Sequence, residues 1–146
     1  MDLEALYDAW APRLLAYMTT ITRDRGRAED ALQNLFVKLA TRRPDLRNPG
    51  AYLFRSARNE ALSAAKRRPE RPLAGLDLFD SGAGPEETAL LTDALDRLPP
   101  EQQEVVILHA VEGLTFRDIA EVLDIPPDTA ASRYRYGLEK LRERLA

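Results

Sequence analysis

Apolar residues recur at helical spacing along almost the whole chain. Leu3, Leu6, Tyr7, Trp10, Leu14 and Met18 make the first stripe, with Pro12 placed to kink it or to start a new turn. After a turn at Arg23–Gly26, Ala28, Ala31, Leu32, Leu35, Phe36 and Leu39 share one face of a helix over Ala28–Ala40. Glu29 and Asp30 read as acids in its first turn, favourable to the helix dipole. The loop Arg42–Gly50 ends in Asn48-Pro49, a good N-cap followed by the residue best tolerated at the first helical position, which predicts a helix onward to about Arg68.

The second half predicts four more helices. Glu86–Leu98 carries Leu90, Leu91, Ala94, Leu95 and Leu98; Pro100–Glu112 follows, and Gly113 stops it. Thr115–Leu123 opens with Thr115 three residues ahead of Asp118, a capping-box-like pair. The last helix starts near Pro127, with Tyr134, Leu138, Leu141 and Leu145 as its packing stripe. No segment alternates with the period of a strand. The expected fold is all-α: two small helical domains, an N-terminal bundle over 1–68 and a C-terminal helix-turn-helix domain over 87–146, joined by a flexible linker over 69–86. Pro69–Pro85 holds three of the ten prolines and three of the seven glycines, which marks the linker. Its Leu73, Leu76, Leu78 and Phe79 predict that it docks on something rather than acting as a bare spacer.

Composition narrows the chemistry. There is no cysteine, so disulfides and thiolate metal sites are excluded. No apolar run is long enough to cross a membrane, and Met1–Trp10 is acidic where a secretion signal would be basic, so a cytoplasmic location is expected. The one histidine, His109, lies in the apolar stretch "VVILHAVEG", which predicts a packed or half-exposed role rather than catalysis. No phosphate loop, dinucleotide fingerprint or metal-ligand spacing occurs, so neither an enzyme nor a cofactor is expected.

The net charge of −3 conceals a strong asymmetry. Met1–Arg71 carries 14 Lys/Arg against 9 Asp/Glu, Pro72–Ile125 carries 2 against 12, and Pro126–Ala146 carries 5 against 3. An anionic partner feels the local patch, within a Debye length of ~8–10 Å, so two basic ends matter more than the total.

"FRDIAEVLDIPPDTAASRYRY" fits a DNA-binding helix-turn-helix. Ile119 and Leu123 are apolar on the first helix, Ala120 is small where the helices approach, Ile125 plugs the turn, and Ala130 faces the core. Ser132, Arg133, Arg135 and Tyr136 are the exposed candidates on the second helix. Asp124 stands where glycine is usual, and Pro126 stands where a Ser or Thr cap would serve. On these residues alone, a helical hairpin with a charged exterior also remains open.

Together, "LYDAWAPRLLAYM", "AEDALQNLF", "NPGAYLFRSARN" and "LDRLPPEQQEVVILHAVEGLTFRDIAEVLDIPPDTAASRYRYGLEKLRERL" resemble bacterial sigma factors of the extracytoplasmic-function (ECF) group, in order and across nearly the whole chain. The resemblance implies a promoter-specificity subunit of RNA polymerase. Asp30 and Gln33 match the segment that docks on the β′ clamp helices, and Asn34 replaces the usual Glu. The loop "RRPDLRNPG" matches the element that captures a flipped −10 base. The helix after it matches the segment that reads and melts the −10 element, so Arg47, Asn48, Arg55, Arg58, Asn59 and Arg67 are its candidates. Arg42–Arg71 carries 9 basic residues against 3 acidic, with Tyr52 and Phe54 interleaved, a composition suited to single-stranded DNA; for Tyr52 a place in the core is an equal alternative. Arg117, Thr129, Ser132, Arg133 and Arg135 are the −35 candidates. Ser63 replaces a common Asp, and Ala131 a common Lys. The implied partners are core RNA polymerase (β′ clamp helices and β flap), promoter DNA and an anti-sigma factor. The alternative is a sigma-like interaction module that sequesters an anti-sigma factor without binding DNA.

Overall fold

The computed structural model describes residues 2–65 and 84–145. Two compact units divide the chain, within Met1–Glu70 and Arg71–Ala146. Among the described residues the regular structure is all helical: α1 Leu3–Thr22, α2 Arg25–Arg42 and α3 Pro49–Ala65 in the first unit; α4 Pro85–Asp96, α5 Pro100–Val106, a π-helical turn Ile107–Val111, α6 Phe116–Leu123 and α7 Pro127–Leu145 in the second. The expected all-α fold is the one observed. The expected continuation of the third helix to about Arg68, including the candidate Arg67, and the apolar residues of the expected linker lie outside the described residues.

In the first unit each helix packs on the other two. Leu14, Tyr17, Met18, Leu35, Leu53 and Phe54 are its large buried side chains, and the Tyr17 and Phe54 rings lie 5.3 Å apart. Each such side chain contributes about 1.5–3 kcal/mol of burial energy. Pro12 does not break α1. It and Asp8, four residues earlier, are both exposed, so the carbonyl that loses its donor can turn to water.

α2 begins three residues earlier than the periodicity predicts. The Asp24 side chain accepts from the Arg27 N–H at 3.1 Å and caps it, which draws the expected turn residues Arg25 and Gly26 into the helix. Glu29 and Asp30 therefore fall outside the first turn, and Glu29 pairs with Arg25 at 3.1 Å instead of serving the dipole. The Asn48 cap on α3 is present: its Oδ1 accepts from the Ala51 N–H at 3.4 Å.

The second unit is built on Leu95, Leu98, Val106 and Leu141, with Tyr134 and Leu138 packed against them. α5 widens into the π turn because the Glu112 N–H reaches back five residues to the Ile107 carbonyl. Gly113, at φ +76°, then reverses the chain so that Leu114 N–H bonds to the Leu108 carbonyl at 3.0 Å. The stripe on α7 ends at Leu141: Leu145 is 49% exposed, as are most of Leu90 and part of Leu91 on α4.

Candidate nucleic-acid interface

The helix-turn-helix is α6, its turn and α7. Thr115 Oγ1 accepts from the Asp118 N–H at 3.1 Å and starts α6. Asp124 ends it in the left-handed conformation, at φ 56° and ψ 52°. A non-glycine residue there costs roughly 1–2 kcal/mol, but the turn is otherwise satisfied: the Ile125 N–H bonds to the Ala120 carbonyl at 3.1 Å. No side chain caps α7 at Pro126. Its backbone carbonyl instead accepts from Thr129 and Ala130, both at 3.1 Å, so α7 starts without the usual Ser or Thr. Ile119 and Ala130 are fully buried, and Ala120 nearly so. Packing them together turns the opposite face of α7 outward.

At the edge of the packed face, Thr129, Ser132 and Arg133 are half-buried, at helical i, i+3 and i+4 spacing. Arg135 and Tyr136 are exposed, and the Arg135 guanidinium lies 5.3 Å from the centre of the Tyr136 ring. Arg117 is exposed on the first turn of α6. Arginine on such a face can fork onto guanine or hold a phosphate.

His109 holds the hairpin from behind. Its ring stacks on Phe116 at 4.3 Å and meets Tyr134 edge-on at 4.5 Å, tying the π turn to both helices. Its Nδ1 lies 2.7 Å from the Leu114 carbonyl. A carbonyl can only accept, so Nδ1 carries the proton. The only histidine is thus a packing element of the reading unit.

In the first unit, Asp30, Gln33 and Asn34 are all exposed on one face of α2. Directly beside that face α2 grips α3: Lys38 forms an ion pair with Glu60, Arg27 Nη1 donates to the Ala64 carbonyl at 2.8 Å, and Asp30 and Asn34 line a groove with Arg27, Glu60, Ser63 and Ala64. Between the two helices lies a pocket of about 160 Å³. Leu35, Leu39 and Tyr52 give it apolar walls, and Lys38, Arg42, Ser56, Asn59 and Glu60 give it polar ones. Of the −10 candidates, the structure brings Asn59 to this pocket. Arg55 is exposed and Arg58 half-buried on α3, Arg47 is exposed and paired with Asp45 at 3.0 Å, and Asn48 is engaged in the cap. Tyr52 is half-buried and lines the pocket, so it belongs to both the packing and the candidate site.

Lys38 and Arg42 were not singled out by sequence reasoning. The signal for them was there: Leu35, Lys38, Leu39 and Arg42 continue the core face of α2 at i, i+3, i+4 and i+7, with basic residues at its edge.

Comparison with known proteins gives the class. The family model described as "Sigma-70 region 2" matches residues 6–70, and that described as "Sigma-70, region 4" matches residues 88–141. The RNA polymerase sigma factor CarQ of Myxococcus xanthus is 31% identical over 162 residues, covering 97% of this chain and 88% of that protein. The ECF RNA polymerase sigma factor SigL of Mycobacterium tuberculosis is 29% identical over 156 residues, covering 96% of this chain and 86% of SigL. Among solved structures, the sigma factor RpoE in complex with the anti-sigma factor NepR, from Bartonella quintana, superposes with a TM-score of 0.76 at 23% identity, covering 99% of this chain and 96% of that one. CnrH in complex with the cytosolic domain of CnrY gives a TM-score of 0.72 at 21% identity, covering 98% and 86%. These two show the fold. The chain belongs to the ECF RNA polymerase sigma factors of the sigma-70 family, and it is a promoter-specificity factor for transcription initiation.

Proposed function

We propose that the two units divide promoter recognition and polymerase docking between them. Residues 1–68 dock on core polymerase and read the −10 element, 69–86 link, and 87–146 read the −35 element. Asp30, Gln33 and Asn34 form the docking patch toward the β′ clamp helices, and the second unit meets the β flap. The observation that supports the docking assignment is that these three polar side chains are exposed together on one face of α2, at i, i+3 and i+4.

Arg55, Arg58 and Asn59, with the loop residues Arg47 and Asn48, contact the −10 strand, and Arg67 continues the basic track. The pocket between α2 and α3 receives a base taken out of the stack: apolar walls and one aromatic ring suit a nucleobase face, and Lys38 and Arg42 suit the phosphates on either side. Thr129, Ser132, Arg133 and Arg135 meet base edges of the −35 duplex, and Arg117 meets its backbone. The protein does no chemistry itself and acts in the cytoplasm. An anti-sigma factor is its proposed regulator, by analogy with the structural relative RpoE, solved in complex with the anti-sigma factor NepR.

The test is reconstitution with bacterial core RNA polymerase and sequencing of the transcripts. Promoter-selective initiation is expected, and Arg58→Ala and Arg133→Ala each weaken it. If the chain binds neither core nor promoter, the assignment fails. If it binds an anti-sigma factor tightly while both substitutions leave DNA crosslinking unchanged, it is a sequestering module instead.

A further inference from the structure

Arg13 on α1 is exposed, yet it is not loosely held. Its guanidinium carbon lies 4.9 Å from the centre of the Trp10 ring and 5.5 Å from that of Phe54. Trp10 meets Phe54 edge-on at 6.5 Å. The same indole reaches the first turn of α3: a Cβ placed on Gly50 would lie 3.3 Å from Trp10 Cη2. Glycine at 50 therefore lets the start of α3 settle onto the ring. The result is a cation fixed on two aromatic faces, beside the point where the loop carrying Arg47 and Asn48 becomes the helix carrying Arg55 and Asn59.

We infer that Arg13 is a further nucleic-acid contact, binding a backbone phosphate of the melted −10 strand where that strand crosses the start of α3. The inference rests on the assignment of α3 to the −10 element. Three physical points support it. A guanidinium is planar, permanently charged and weakly hydrated, so it can lie on aromatic rings and still offer edge N–H groups to a phosphate. Stacking removes rotamer freedom before the strand arrives, which lowers the ordering cost of the contact. An aromatic and cationic pair beside a basic helix is also the arrangement by which single strands are held without regard to sequence. The competing explanation is that Arg13 merely staples α1 to α3.

Salt dependence separates the two. Each phosphate contact to a single strand contributes ~0.7 to the slope of log affinity against log salt. The full chain is assembled with core polymerase and bound to a fork template, taken from a promoter mapped for this holoenzyme, with its −10 nontemplate strand single. Affinity is measured between about 50 and 200 mM salt. The polymerase's own contacts are common to all variants and cancel in the difference. Arg13→Gln is expected to reduce the slope by ~0.7, whereas Arg13→Lys, which keeps the charge, and Trp10→Phe, which keeps a platform, retain it.

An affinity loss with Arg13→Gln at unchanged slope overturns the inference in favour of the staple, as does no loss at all. Should Arg13→Gln fail to fold, as judged by its thermal melt, Arg13→Lys still decides. Replacing the phosphates of the fork one at a time by methylphosphonate must then weaken wild type and Arg13→Lys at one shared position, and its absence overturns the inference. Failure of the wild-type holoenzyme to bind the fork would instead bring down the −10 assignment itself.

Discussion

Gly137 sits in the middle of α7, and substituting alanine there sets two effects of known size against each other. In an open helix the change is favourable by about 1 kcal/mol, because alanine loses less backbone freedom. Here the new Cβ would lie 2.8 Å from Val106 Cγ2, with Gln102 Cβ at 3.6 Å and the Gln102 carbonyl oxygen at 3.7 Å. Carbon atoms rest at about 3.5–4.0 Å, so the Val106 contact is short by roughly 0.7 Å or more. Val106 cannot swing aside, because it is 3% exposed and a β-branched residue in a helix has one strongly preferred rotamer. Gln102 already touches the same site, so α7 has little room to slide. Overpacking of this kind costs about 1–3 kcal/mol, which outweighs the propensity gain and leaves a net loss of about 1 kcal/mol. For a domain of this size that lowers Tm by about 4–8 °C. Far-UV circular dichroism follows the melt, and fluorescence of Trp10, the only tryptophan, follows the first unit as an internal control that should not move. Gly137→Ala combined with Val106→Ala should be less destabilised than the two single losses summed, because the second change removes the obstructing methyl. A rise in stability for Gly137→Ala alone, or strict additivity in the double variant, would refute the close approach of α5 and α7.

Three further outcomes are expected. His109→Ala removes a ring packed on Phe116 and Tyr134 and leaves the Leu114 carbonyl without its donor, so the second unit should lose about 2 kcal/mol and −35 binding should weaken, read by thermal melts and by fluorescence anisotropy on duplex DNA. Asp124→Gly relieves a left-handed aspartate and should raise stability by about 1 kcal/mol in urea titrations, unless DNA binding needs the present turn, in which case affinity falls as stability rises. Arg27→Ala removes the charged donor to the Ala64 carbonyl at the end of α3 and should cost about 1.5–3 kcal/mol, with faster amide exchange confined to the last turn of α3.

Much of the fold was written in local chemistry. Asn48-Pro49, Thr115 with Asp118, Pro100 and Gly113 act within four residues of themselves, so their caps and stops could be read directly and are found in place. The exceptions each depend on something outside the local window. Pro12 interrupts a helical pattern, yet α1 continues, because tertiary packing on α2 and α3 holds the residues on both sides of it. The π turn arises because His109 is pinned to the Leu114 carbonyl and to rings from both α6 and α7, contacts between residues up to 25 positions apart. Leu145 keeps the period of the stripe but lies one turn past the last residue buried in the core, so periodicity alone placed it inside. The candidate site shows the same division. Exposed faces such as Asp30, Gln33 and Asn34 follow from helical spacing, whereas the pocket depends on how α2 lies against α3, which no single helix encodes.

α2 is where docking and reading would meet. Its exposed face carries the proposed docking patch, and directly beside that patch it holds α3 at two points a turn apart on that helix, Lys38 to Glu60 and Arg27 to Ala64. Glu60 is adjacent to Asn59, a proposed reader, so the ion pair fixes α3 at the turn that carries it. The Lys38 side chain is about half exposed and that of Glu60 only 15%, which places the pair between a screened surface bridge and a costly buried one. Its main effect is therefore on position rather than on stability. With the polymerase engaged on α2, the strand would meet arginines and an asparagine of α3 already held in place by α2. Little ordering is then left for each weak DNA contact, and the tether to a second reading unit multiplies the two modest affinities through effective concentration. Under this arrangement a chain of net charge −3 needs little affinity for free DNA, because the selective contacts are made only after docking has brought both basic faces to the promoter.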